Sequence, residues 1–138
     1  MTTQNQPFDV LVVDDDPSIY DLLHMVGQRE FSEATFRSAA TPQDVINTTD
    51  EQLPHLVLLD IDFHQEKDGI DWLPMLQARF QKKVPVVIFS QSDSQQHIQQ
   101  AYQAGAVAYT QKPDELRGWK DYVVAMKKFW YETATIPQ

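Results

Sequence analysis

Cysteine is absent from the 138 residues. That excludes disulfides and thiolate-bound zinc, but it names no compartment, because a reducing milieu merely permits free thiols. Positive charge is scarce: 11 Lys+Arg stand against 20 Asp+Glu, a formal net charge of −9. A chain this acidic repels a phosphate backbone, which speaks against direct nucleic-acid binding. No apolar stretch approaches the roughly 20 residues that span a bilayer, so no membrane partner is expected. The opening MTTQNQPFDV lacks the basic and long apolar regions of a secretory signal. No repeat of solenoid period and no internal linker is found. What remains is one ordinary domain, with 42% apolar residues to build its core.

Two patterns alternate along it. Residues 8–13 (FDVLVV), 55–59 (HLVLL) and 84–89 (VPVVIF) read as strands buried on both faces. Residues 32–38 (SEATFRS) alternate more, as an edge strand does, and 106–110 (AVAYT) supply a fifth. Between them lie helical spacings. Ile19, Leu22, Leu23 and Val26 share one face, with Asp16 as N-cap and Pro17 at the first helical position. Thr41-Pro42-Gln43-Asp44 starts a second helix. Residues 70–80 read as a third, in which Pro74 is admissible only within the first turn. Residues 92–105 form a glutamine-rich fourth, with Ile98, Ala101 and Tyr102 as its apolar stripe. Trp119, Tyr122, Val123 and Met126 mark a fifth. Asp9 and the glutamines of the fourth helix read as surface. Strands alternating with helices predict a doubly wound α/β fold with a parallel five-stranded sheet and helices on both faces. Ligands of such sheets bind at the carboxyl ends of the strands, where strand order reverses.

Those ends carry chemistry. Asp14-Asp15-Asp16 follow the first strand, Asp60-Ile61-Asp62 the third, and Ser90-Gln91-Ser92 the fourth; Lys112-Pro113 follow the fifth. Two like charges about 4 Å apart repel by roughly 4 kcal/mol at an effective dielectric near 20. Gathered carboxylates therefore call for protons or a cation, and a hard divalent ion such as Mg²⁺ suits oxygen ligands. Singly, each feature has a plain reading: an N-cap with solvated neighbours, a polar strand exit, a turn hydroxyl. Their joint placement at four strand ends points to a phosphoryl site. Asp60 and Asp62 fit either a phosphate acceptor beside a metal or the nucleophile and general acid of a phosphatase.

In VLVVDDDP, HLVLLDID followed by KDG, VPVVIFS and AGAVAYTQKP, in that order, the chain resembles the receiver domains of two-component response regulators. The match covers about residues 8–128, leaving 1–7 as a tail and 129–138 as an aromatic extension. The resemblance implies strand order 2-1-3-4-5 and a cytoplasmic signalling protein that is no enzyme beyond its own phosphorylation and dephosphorylation. It implies that Asp60 accepts a phosphoryl group from the phosphohistidine of a sensor histidine kinase or histidine phosphotransfer protein. Asp14, Asp15, Asp60 and the backbone carbonyl of Asp62 would hold Mg²⁺. Ser90 and Lys112 would bind the phosphate, Ser90 and Tyr109 would act as the switch, and the Lys112–Pro113 bond would be cis. Output would pass through the face built by the fourth helix, fifth strand and fifth helix, to a partner protein or a second copy.

A haloacid-dehalogenase-like phosphatase also uses Asp-x-Asp, a hydroxyl, a lysine and paired acids, but there the paired acids follow the lysine. Here Asp14-Asp15 come first. A receiver-like module that takes no phosphate is the third reading. Three departures from the receiver pattern bear on rate. The loop after Asp60 is one residue longer, with His64 where proline is common. Gln91 replaces a small residue and Asp62 adds charge, so Asp62, Gln91 and Ser92 are expected to modulate access to the acceptor. With no effector segment read after the fifth helix in these 138 residues, the resemblance implies a receiver of the stand-alone kind. KKFWYETATIP resembles the extension of a subset that includes the regulators paired with bacterial phytochromes; Phe129, Trp130 and Tyr131 serve equally well as a cap on the core.

Overall fold

A computed structural model describes residues 6–47, 53–61 and 69–134. Five parallel strands form one sheet in the order β2-β1-β3-β4-β5. They are β1 (Phe8–Val13), β2 (Ala34–Ala39), β3 (Leu56–Leu59), β4 (Val86–Ser90) and β5 (Ala108–Gln111). The helices are α1 (Pro17–Glu30), α2 (Pro42–Asn47), α3 (Gly69–Arg79), α4 (Gln95–Gln103) and α5 (Leu116–Met126), and a π-helical turn, Lys127–Tyr131, continues α5. Among the described residues no helix is long and apolar enough to cross a membrane.

Strand side chains alternate between faces, so one run feeds two cores. Leu11, Val13, Val57 and Leu59 pack with Val45 of α2, with Ile70, Leu73 and Leu76 of α3, and with Ala101 of α4. Val10, Val12, Leu56 and Leu58 pack with Ile19, Leu23 and Val26 of α1, and with Trp119, Val123 and Met126 of α5. β1, β3 and β4 are buried almost throughout, as strands covered on both faces must be.

Helix α1 begins as its sequence requires. The Asp16 carboxylate accepts the Ser18 hydroxyl at 2.7 Å and the Ser18 N–H at 3.0 Å, with Pro17 next to it. These bonds hold the Asp16 carboxyl below its ordinary value. Several boundaries differ from expectation for local reasons. β4 starts at Val86 because Pro85 has no N–H for the ladder, although its carbonyl accepts from Val57. α4 starts at Gln95 because Ser94 is its cap, and it stops before Gly105, whose φ of 107° only glycine adopts readily. β5 starts at Ala108 because the Ala106 N–H turns back to Ala101 of α4. Pro74 is not in the first turn of α3. It lies deeper, and the Ile70 carbonyl loses its helical donor. Pro74 faces solvent, where water can satisfy that carbonyl. Asp9 is no bare surface acid either: Arg37 clamps it through two nitrogens, at 2.8 and 3.0 Å.

The aromatic extension divides. Tyr131 packs against Phe8 and Phe31 and donates its hydroxyl to the Gln6 carbonyl at 2.9 Å. Trp130 is also partly buried on the core, whereas Phe129 is 54% exposed.

Candidate phosphoryl site

Sheet register assembles the site. Val13 pairs with Leu59, so the next residues, Asp14 and Asp60, emerge side by side. The Asp60 N–H donates to the Val13 carbonyl at 2.9 Å, and the Asp14 N–H to Ala39 at 3.0 Å. These bonds fix both backbones at the rim. Leu59 pairs with Ile88, and Ser90, two residues on, pairs with Gln111. The Lys112 N–H then donates to the Ser90 carbonyl at 2.8 Å. Four strand ends thus meet where strand order reverses between β1 and β3.

The side chains converge. Lys112 Nζ lies 2.8 Å from Asp14 Oδ2 and 3.4 Å from Asp60 Oδ2, and all three side chains are nearly inaccessible. Asp14 Oδ1 accepts the Asp16 N–H at 2.9 Å. Burial alone would push the Lys112 ammonium down; the hydrogen bond to Asp14 and the charges of Asp60 and Asp14 outweigh it, and its pKa is raised. Asp15 is exposed, yet it brings one carboxylate oxygen within 4.8 Å of those of Asp14 and Asp60. Three acids against one ammonium leave a net negative cluster of oxygens, which is what a hard divalent cation fits.

Ser90 is fully buried, and its Oγ accepts the Ser92 N–H at 3.0 Å. Gln91 is exposed beside it. Tyr109 is half-buried, and its hydroxyl donates to the Ser92 carbonyl at 2.8 Å. Asp62, His64 and the Lys67-Asp68 pair lie outside the described residues. Asp14, Asp15, Asp60, Ser90 and Lys112 are thus brought together as their strand-end positions suggest. Tyr109 joins them indirectly, through Ser92.

The family profile described as the response regulator receiver domain matches residues 10–121. The chain belongs to this family. The receiver is 32% identical over 118 residues to a protein-glutamate methylesterase/protein-glutamine glutaminase of Rhodopseudomonas palustris strain HaA2, a match covering 83% of this chain and 30% of that protein. The chain therefore spans under a third of that curated relative's length. Among solved structures, the phosphorylated cyanobacterial phytochrome response regulator RcpA superposes with a TM-score of 0.83 at 21% identity, over 96% of this chain and 99% of that one. RPA3017, a response regulator in red light signaling of R. palustris, gives 0.81 at 27% identity, over 95% and 99%.

As a receiver, the chain is a signalling module of the two-component class, and the phosphatase order of acids does not apply to it. One expectation needs correction. No peptide bond among the described residues is cis, so Lys112–Pro113 is trans. Trans is the lower isomer of an X–Pro bond by about 0.5–1 kcal/mol, and Lys112 makes both its backbone and its ammonium contacts with it. The Tyr109 hydroxyl is tethered to the β4–α4 loop through the Ser92 carbonyl. Sequence reasoning also passed over the partnership of His97 with Ser92, whose side chains meet at 3.0 Å. Their five-residue separation across a loop and a helix start carries no periodic signal.

Proposed function

We propose that this receiver takes a phosphoryl group on Asp60 from the phosphohistidine of a sensor histidine kinase or a histidine phosphotransfer protein. The observation that carries the reading is the Lys112 ammonium held between Asp14 and Asp60 at 2.8 and 3.4 Å. In the transfer, an Asp60 oxygen forms the new P–O bond as the P–N bond breaks, and the electron pair stays with the donor imidazole. Lys112 is then positioned to pair with the acyl phosphate, and the Ser90 hydroxyl to donate to one of its oxygens. Asp14, Asp15 and Asp60, with the Asp62 carbonyl, would hold Mg²⁺; the ion supplies neutralising charge to the phosphoryl oxygens. Residues 8–128 would form the receiver, 1–7 a tail and 129–138 the extension, in a cytoplasmic protein.

Output would run through the face made by α4, β5 and α5, to a partner protein or a second copy. Tyr102, Val107 and Phe129, each about half exposed, offer apolar contact on this side. The test is phosphorylation by acetyl phosphate, read by intact mass. Wild type should gain one phosphoryl group only with Mg²⁺, and Asp60→Asn none. If wild type gains none from acetyl phosphate or from a phosphorylated kinase, the chain is a binding module that takes no phosphate. Undiminished labelling of Asp60→Asn would place the acceptor elsewhere.

A further inference from the structure

Ser92 touches three parts of the switch at once. Its N–H donates to Ser90 Oγ at 3.0 Å, and its carbonyl accepts the Tyr109 hydroxyl at 2.8 Å. Its own Oγ accepts the Ser94 N–H at 3.2 Å and lies 3.0 Å from His97 Nδ1. His97 is in the first turn of α4, and its N–H donates to the capping Ser94 Oγ at 3.5 Å. The main chain and the ring of His97 are therefore both tied to the loop that carries Ser90.

Among the described residues, α4 has little buried surface to hold this end. The only fully buried residue of the helix is Ala101. Its C-terminal half is closed by the Ala106 N–H, which donates to the Ala101 carbonyl, and is pinned to β5 by the Tyr109 N–H, which donates to the Tyr102 hydroxyl. An element with so little buried surface shifts at low cost, and its N-terminal half has no fully buried residue.

We propose that His97 is a positioning residue that latches α4 to the phosphate-binding loop through Ser92, so that phosphorylation moves α4 by this contact as well as through Tyr109. The proposal rests on the phosphoacceptor reading of Asp60. For Ser90 Oγ to donate to a phosphate oxygen, it must turn toward Asp60. The Ser92 N–H must then follow it or let go. A following Ser92 carries its Oγ along, and a hydrogen bond near 3 Å tolerates only a few tenths of an ångström before it weakens. α4 then moves with the loop, or the latch opens and frees its first turn. In either case His97 converts a displacement at Ser90 into a change at the α4 surface.

The test uses wild type, His97→Ala, His97→Asn and Ser92→Ala, each treated with acetyl phosphate and Mg²⁺. Phosphorylation is read by intact mass, amide exchange is read across 94–103, and the Tyr109 ring is followed by NMR. His97→Ala and His97→Asn should be phosphorylated as wild type is. His97→Ala should lose most of the phosphate-dependent change in α4 exchange while keeping the Tyr109 shift. His97→Asn, which can still pair with Ser92 Oγ, should restore the α4 change. Ser92→Ala, compared at equal phosphorylation, should match His97→Ala. A full α4 response in phosphorylated His97→Ala overturns the latch, and so does a loss that His97→Asn fails to restore. If wild type forms no acyl phosphate, the phosphoacceptor reading falls first and the latch with it. Phosphorylated variants with an unaltered α4 response overturn the latch alone.

Discussion

Lys112 decides how two buried carboxylates share one rim. Asp14 and Asp60 face each other across Val13 and Leu59, and its ammonium is the positive charge between them. Removing one partner from a buried ionic cluster leaves charge uncompensated, at a cost of about 3–5 kcal/mol. Lys112→Ala should therefore lose about 3 kcal/mol of stability without metal. Millimolar Mg²⁺ should return much of it, because the cation replaces the missing charge. Thermal denaturation with and without Mg²⁺ checks both statements, and a variant indifferent to Mg²⁺ would show that the carboxylates are not the metal site. The pH dependence has a definite sign. Lys112 titrates higher when folded, so its contribution is complete below the unfolded lysine value of about 10.4 and fades as pH climbs through the raised folded value. In the sequence, one Lys-Pro pair says almost nothing. Lys112 became legible only because Asp14, Asp60 and Ser90 also end strands. Its trans bond to Pro113 was not legible, since the sequence of an X–Pro pair does not fix its isomer.

Elements were legible where periodicity and chemistry agreed, as at Asp16-Pro17 and Thr41-Pro42, where cap and helix start coincide. They were less so where one residue overrode the pattern. Pro85 shortened β4, Ser94 delayed α4, and the π-helical turn after Met126 looks like plain continuation of α5 because its apolar spacing hardly differs. Pro74 is the sharpest conflict. It sits inside α3, where it removes the donor for the Ile70 carbonyl. Pro74→Ala should restore that bond on the exposed face and raise stability by about 1–3 kcal/mol. Chemical denaturation measures this, and a stability loss would mean that the proline ring packs against something that matters more than the missing hydrogen bond.

Across the whole molecule, charge and the aromatic extension set the limits. The chain carries a net −9, yet residues 94–111 contain no Asp, Glu, Lys or Arg. That span is α4 and β5, a stretch that adds no charge of its own to repel a second copy or an acidic partner. Part of the extension packs on the core: Tyr131 closes over Phe8 and Phe31. Tyr131→Ala should cost about 2–3 kcal/mol and Phe129→Ala, at an exposed position, far less. Equal effects would place the domain boundary before the aromatics, as the receiver resemblance alone suggests. The sequence left cap and interface open here, because KKFWY carries the residues for both and only packing assigns Tyr131 to one and Phe129 to the other. The central claim is a single phosphoacceptor. Of the 20 Asp and Glu, one should carry the phosphoryl group. After treatment with acetyl phosphate and Mg²⁺, borohydride reduction of the acyl phosphate and peptide mapping should mark Asp60 alone. A mark on Asp62, or on Asp14 or Asp15, would contradict it.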